Sequence, residues 1–352
     1  MTINVRGYAA PSAKAQLVPY QFERRDTRAD DVVIEILYCG ICHSDLHHVN
    51  DDWGRNSIYP MVPGHEIIGR VVSIGPNVTH FKPGDHVGVG CMVDSCQQCA
   101  ACKQGLEQYC VEGPTLTYDD KDRHDQSPTF GGYAEKIIVR EKFVLRIPDG
   151  LDLKGAGPLL CAGITTWSPL RHWRVREGTN VGVIGLGGLG HMALKLAKGL
   201  GVNVTLFSRS PGKEQDARRL GTDKIVISTD AGQMAAVNSK FDLIIDTVPY
   251  VHDLNPYLPL LSLNGTLVLV GFLGSLEPTL NTVPLIMGRK SVAGSVIGGI
   301  AETQELLDFC GEHGITADSE VIRIQDINEA YKRMLKSDVK YRFVIDMASL
   351  KS

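Results

Sequence analysis

Residues 180–200 constrain the fold of this chain more than any other stretch. The short run Val181-Gly182-Val183-Ile184 leads into Gly185-Leu186-Gly187-Gly188-Leu189-Gly190, and a helix-period pattern, HMALKLAKGLG, opens at His191. This is the G-x-G-x-x-G spacing. Gly185 suits the tight turn, Gly187 lets backbone approach a pyrophosphate, and Gly190 allows close helix-to-strand packing, while amides at the helix start face the phosphates. An ordinary glycine turn has the same letters, so context decides. Candidate strands NVTLFS, KIVIS, FDLIIDTV and TLVLVG follow, with the helical pattern KEQDARRLG among them. Parallel strands need crossover helices, so the alternation over 151–294 predicts an α/β, doubly wound parallel sheet. Gly185, Gly187, Gly188, Leu189 and Gly190 are then the dinucleotide-binding positions.

The end of the second strand selects the dinucleotide. An NAD site places a carboxylate there, about 20 residues after the glycines, to bind the ribose 2′-hydroxyl. Here the strand ends in Ser208-Arg209-Ser210-Pro211-Gly212-Lys213. A hydroxyl and two cations replace the acid, so Ser208, Arg209 and Lys213 point to a 2′-phosphate, and hence to NADP(H) over NAD(H). A solvated basic turn is the plain alternative.

At 352 residues the chain exceeds what one core usually supports, which predicts two domains. Before residue 150 the texture differs: VVIEILYCG, GRVVSIG, GDHVGVG and YAEKIIV alternate with Gly, Pro and Asp turns, the pattern of a compact, mostly β domain. After 294, SVAGSVI, ETQELLDFC, DINEAYKRMLK and YRFVIDM either extend the parallel sheet or return to the first domain, and composition leaves both open.

Four of the nine cysteines crowd into Cys96-x2-Cys99-x2-Cys102-x7-Cys110. Four thiolates in one short loop make a closed tetrahedral zinc site, which contributes folding energy and no chemistry. An iron–sulfur cluster is the rival, although the usual ferredoxin spacings differ. A second set is scattered: Cys42 in GICHSDLH, His65 and Glu66 in VPGHEIIG, and Cys161 in LLCAGITTW. Two thiolates and an imidazole leave zinc's fourth position open for water or a substrate oxygen. Taken singly, Cys161 reads as core and His65 as a turn histidine. A local alternative groups Cys39 and Cys42 with His43 and His47. Cys91 and Cys310 have no partner by spacing. Ser44 and Asp45 also suit a helix cap after Cys42.

GICHSDLH, PGHEIIG, the four-cysteine loop, Cys161 and GLGGLG stand in an order, over nearly the whole chain, that resembles the zinc-dependent medium-chain dehydrogenase/reductase family, most of all its cinnamyl-alcohol-dehydrogenase branch. SRSPGK is similar to that branch's NADP-selective turn and AGSVIGG to its substrate-side strand. The resemblance implies a GroES-like catalytic domain, residues 1–150 and 295–352, holding both zincs, and a Rossmann domain, 151–294, holding NADP(H). It implies an active site in the cleft and a homodimer paired through Rossmann sheet edges. Cys42, His65 and Cys161 would ligate a catalytic zinc, with Glu66 beside it as an exchangeable ligand or neighbour. Asp45 would orient His65, and Ser44 and His47 would relay the proton. Thr165 would touch the nicotinamide. Trp53, Cys91, Leu116 and Val296 match positions lining the substrate pocket, but the plant enzymes' aromatic at the Val296 position and their tryptophan soon after the cysteine loop are absent. The expected substrates are therefore primary alcohols and their aldehydes, aromatic and medium aliphatic, with reduction the main direction.

Lys and Arg (36) nearly balance Asp and Glu (40), and no basic stripe is interleaved with aromatics, which argues against nucleic acid. No apolar run is long enough for a bilayer, and no basic, apolar leader opens the chain, so it reads as soluble and cytoplasmic with no membrane partner. Three other readings use the same scaffold. A non-catalytic NADPH-binding protein and a zinc-free quinone reductase both predict a damaged catalytic set, and Cys42, His65, Glu66 and Cys161 are all present. A polyol dehydrogenase fits less well with the glycine-rich strand and the basic turn.

Overall fold

The structure is a computed structural model that describes residues 2–271 and 274–351. It divides into two compact units, one running to Cys161 and resuming at Gly298, the other Ala162–Ile297. These limits fall later than the change in texture at 150 and 294. Residues beyond 150 pack on the first unit: Leu159 and Leu160 are buried, Leu160 lies against Gly88, and the Ala317 amide donates to the Gly155 carbonyl at 3.0 Å. Cys161 therefore belongs with the first unit.

The first unit is built around the strand Asp31–Ile41, which is buried along most of its length, as its run of β-branched residues requires. It pairs antiparallel with Ile67–Ile74, Lys136–Arg140 and Arg342–Asp346. The last of these resolves the open question about the tail. RFVID is almost fully buried, and an apolar strand of this kind needs a sheet on both flanks, which it finds in Asp31–Ile41 and in the parallel strand Ser319–Arg323. SVAG, in contrast, stays with the other unit as the strand Ser291–Gly294.

The second unit carries a six-stranded, all-parallel sheet. Its order runs Lys224–Ile227, Asn203–Ser208, Asn180–Ile184, Phe241–Asp246, Leu261–Leu269, Ser291–Gly294. Successive strands move outward in both directions from Asn180–Ile184, so a crevice opens beyond its carboxyl end, where doubly wound sheets bind ligands. The core on one face packs Phe207 edge-on against Phe241 and Tyr257, at 5.3 and 5.5 Å between ring centroids, over Ile244, Leu258 and Leu267. Among the described residues no helix is long and apolar enough to cross a membrane.

Candidate active site

The helix His43–Asn50 begins where the strand Asp31–Ile41 ends, with Cys42 at its N-cap. Asp45, in its first turn, accepts from the Cys42 amide at 2.8 Å, so it does cap the helix. The fully buried carboxylate has more to do than that. It accepts from the Gly64 amide at 3.2 Å and the Tyr133 hydroxyl at 3.1 Å, and its Oδ1 lies 3.2 Å from His65 Nδ1. Four donors converge on one anion, which fixes the imidazole and turns its Nε2 the other way. Ser44 Oγ lies 3.4 Å from that Nε2 and donates to Cys42 Sγ at 3.1 Å. Cys161 Sγ is 3.7 Å from Cys42 Sγ. A tetrahedron of zinc–sulfur bonds near ~2.3 Å has an edge of about 3.8 Å, so this spacing fits a shared cation.

One ligand atom each from Cys42, His65, Glu66 and Cys161 lies within 4.8 Å of the others. The local grouping of Cys39 and Cys42 with His43 and His47 does not form, because Cys39 is buried in the strand Asp31–Ile41, where burial pushes its thiol up. The mutual hydrogen bond holds Cys42 well below the ordinary thiol value and pushes Cys161 well above it. Burial alone would lower His65, yet the charges of Cys91 and Asp45 raise it. Imidazole and thiol ligate only when deprotonated, and a cation at their centre would take the place of these protons.

Glu66 is fully buried. Burial lifts it to about 7 against the opposing pull of Arg342, whose guanidinium donates to Oε1, while Oε2 has no hydrogen-bond partner among the described residues. A Cβ at Gly40 would collide with this carboxylate, so the glycine of CGICH is what admits it. Arg342 itself is raised: burial opposes its charge, but Glu66 and Cys42 more than compensate. No motif flagged Arg342, although a cation inside the apolar run YRFVID was the available signal.

His47 Nδ1 lies 2.9 Å from Asp52 Oδ2, with the two side chains 34% and 38% exposed. Asp52 is a second residue the motifs missed. Trp53 packs on the rings of His47 and His48, with centroids 5.3 and 4.9 Å away, and Tyr118, also unanticipated, stacks on His65 at 5.7 Å. Cys91 faces the Leu160 carbonyl at 3.8 Å, and Leu116 pairs with Met92 next to it. Thr165 and Val296 belong to the second unit.

Ligand atoms of Cys96, Cys99, Cys102 and Cys110 likewise lie within 4.8 Å of one another, Cys96 and Cys102 being 3.8 Å apart. The Cys102 and Val111 amides hold Cys99 down to about 6, whereas burial pushes Cys102 up to about 12. Cys110 is lowered as well, against its burial, by the Cys96 and Glu112 amides, so the loop favours thiolates at two of its four positions and a bound cation would draw out the rest. None of the nine cysteines is disulfide-bonded.

In the second unit Gly185 takes φ +91, Gly190 leaves no room for a Cβ over the Gly185 carbonyl, and Gly187 has nothing within 4 Å of its missing Cβ. These are the turn, the packing contact and the open approach that a pyrophosphate requires. The helix Gly188–Gly199 starts immediately after, so the Gly188 and Leu189 amides belong to its first turn. Ser208 is buried and its hydroxyl donates to the Ser210 carbonyl at 2.9 Å, which shapes the turn. Lys213 Nζ reaches back to the Leu186 carbonyl at 3.0 Å, and Arg209 donates to the Tyr250 hydroxyl at 2.8 Å.

Comparison with known proteins agrees with this geometry. Residues 28–149 match the family described as Alcohol dehydrogenase GroES-like domain, and residues 188–312 that described as Zinc-binding dehydrogenase. The aldehyde reductase YahK of Escherichia coli is 50% identical over 349 residues, covering 99% of each chain. A cinnamyl alcohol dehydrogenase of Sorghum bicolor superposes with a TM-score of 0.94 at 47% identity, covering 98% of both chains. The cinnamyl alcohol dehydrogenase of Helicobacter pylori, solved in complex with NADP(H), gives 0.91 at 43% identity over 99% of both. With likeness of this degree running from end to end, the chain belongs to the zinc-dependent medium-chain dehydrogenase/reductase family, in its cinnamyl-alcohol-dehydrogenase-like branch.

Proposed function

We propose that this protein is an NADP(H)-dependent alcohol dehydrogenase that interconverts primary alcohols and aldehydes, aromatic and medium aliphatic, and works mainly as an aldehyde reductase. The convergence of Cys42, His65 and Cys161 beside a buried carboxylate carries the reading, because a two-thiolate, one-imidazole set leaves a coordination position for a substrate oxygen. Those three residues would hold a catalytic zinc, with Glu66 as the neighbour able to exchange in, and Cys96, Cys99, Cys102 and Cys110 would hold a structural one, giving two per chain. When bound, the catalytic zinc supplies a Lewis acid for the substrate oxygen and the nicotinamide supplies the hydride.

The chain's own residues do the rest. Asp45 keeps His65 in the tautomer that presents Nε2. Ser44 Oγ, beside Cys42 and His65, is placed to take up or release the reacting proton, and half-exposed His47, braced by Asp52, to exchange it with solvent. Trp53, Cys91 and Leu116 are proposed to face the substrate. The glycine loop Gly185–Gly190 would take the pyrophosphate and Ser208, Arg209 and Lys213 the 2′-phosphate.

Exposed Val283, Ile286 and Met287, on the helix that precedes the sheet-edge strand Ser291–Gly294, support a homodimer. Thiolate sites without disulfides suit a reducing, cytoplasmic compartment. The test is oxidation of NADPH and of NADH with benzaldehyde, cinnamaldehyde and a short aliphatic aldehyde, beside NADP-linked oxidation of mannitol, with zinc counted on the same preparation. Turnover of the aldehydes with NADPH and two zincs per chain is the expected result. No turnover in a preparation holding zinc and NADPH would refute the reading, and turnover of mannitol alone would replace it with polyol oxidation.

A further inference from the structure

The basic turn after Asn203–Ser208 carries two cations, Arg209 and Lys213, close enough for Arg209 to depress Lys213 further below the value to which burial already lowers it. Among the described residues neither is paired with a carboxylate. They are not fixed equally. Lys213 is tied to the glycine loop through the Leu186 carbonyl. Arg209 stands on an exposed turn, and a long guanidinium side chain there has many rotamers to lose on meeting a ligand. Its hydrogen-bond partner comes from the loop after a different strand: Nη2 donates to the Tyr250 hydroxyl at 2.8 Å, with the guanidinium carbon 5.8 Å from the ring centroid.

Tyr250 is itself anchored. His252 Nδ1 lies 2.9 Å from the Tyr250 carbonyl, and His252 Nε2 lies 3.2 Å from Asp246 Oδ2, at the end of the strand Phe241–Asp246. That strand and Asn203–Ser208 flank Asn180–Ile184, whose end leads into the glycine loop. The contact between Arg209 and Tyr250 therefore links the loops that follow the two flanking strands, across the crevice beyond the central one. A tyrosine hydroxyl that accepts from arginine keeps its own proton, so the pair presents donors only.

We infer that Tyr250 is a positioning residue for cofactor selection, holding the Arg209 guanidinium in place for the 2′-phosphate of NADP(H). The inference rests on the NADP(H) reading of the basic turn proposed above. A guanidinium already restrained binds a phosphate with less ordering cost than a free one, and the benefit vanishes for a cofactor with a 2′-hydroxyl. Tyr250 is half exposed, so removal of its hydroxyl leaves the core intact.

The experiment measures dissociation constants of NADPH and NADH, and of the fragments 2′,5′-ADP and 5′-AMP, for the zinc-loaded wild type and for Tyr250→Phe, Arg209→Ala and the double variant. Tyr250→Phe is expected to weaken NADPH and 2′,5′-ADP by about fivefold, the scale of one side chain's ordering, with NADH and 5′-AMP unmoved. The double variant should bind no more weakly than Arg209→Ala, because Tyr250 acts through Arg209. Wild type preferring NADPH while Tyr250→Phe binds it equally well or better would overturn the role of Tyr250 and leave the cofactor reading standing. Equal weakening of all four ligands would overturn it as well, by assigning Tyr250 to the adenosine. A wild type that prefers NADH would remove the cofactor reading and this inference together.

Discussion

Asp45→Asn isolates the part of the site that no zinc ligand reveals. The carboxylate faces four donors: the Cys42 and Gly64 amides, the Tyr133 hydroxyl and His65 Nδ1. Asparagine offers one carbonyl oxygen and one NH2 group. If the oxygen keeps Gly64 and His65, the NH2 meets the Cys42 amide and Tyr133; the phenol can rotate to accept, but the amide cannot. One buried donor is left without an acceptor, at roughly 1–3 kcal/mol, and the charge that held His65 is gone. Partners behind a metal-bound histidine typically change metal affinity by about 10–100-fold, or about 1.4–2.7 kcal/mol, which agrees with that penalty. The assay is titration with a chromophoric chelator while zinc is counted. The four-cysteine site, which shares no residue with this one, serves as an internal standard. The variant should release one zinc per chain at about 10–100-fold lower chelator strength and hold the other as the wild type does. Release of both zincs along the wild-type curve would refute the placement of Asp45 behind the catalytic ligand.

Three further outcomes follow from named contacts. His47→Ala should slow aldehyde reduction by roughly a hundredfold, the lower end for a positioned acid–base group, with zinc content unchanged, and wild-type turnover would remove His47 from proton exchange. Cys99→Ser removes the thiol most ready to ionise in its loop, so zinc should fall to one per chain with a stability loss on the order of several kcal/mol in thermal or urea unfolding; two retained zincs would count against a closed four-thiolate site. His252 is raised above 6.5, first by the Asp246 carboxylate 3.2 Å from its Nε2 and next by the Tyr250 carbonyl, against burial and the nearby Arg209. Its contribution is therefore full below the unfolded value and is lost as pH rises through the folded one. The difference in Tm between wild type and His252→Asn should be largest near the acid end and shrink on raising the pH, and a difference that grew with pH would invert the assignment.

Much of this protein is determined by local sequence. Turn chemistry, period and ligand spacing are short-range properties, so GLGGLG between a strand and a helix, the missing acid at SRSPGK and the four cysteines within fifteen residues are legible without coordinates. The same holds for the parallel sheet, because its strands and crossover helices alternate along the chain. Long-range pairing is different. Whether the tail joined the sheet or returned was decided by what could cover both flanks of RFVID, and that return alone brings Arg342 to Glu66, which lies 276 residues away. The division at Cys161 followed the burial of Leu159 and Leu160, which no change of composition marks. Tyr133, Tyr118, Asp52 and Tyr250 belong to no motif, since a residue that acts through a neighbour is specified by three-dimensional position and not by spacing. Local sequence sets which chemical groups are available, and long-range packing chooses which of them carry a partner, because a buried carboxylate such as Asp45 is tolerated only where the fold delivers donors to it from several distant segments.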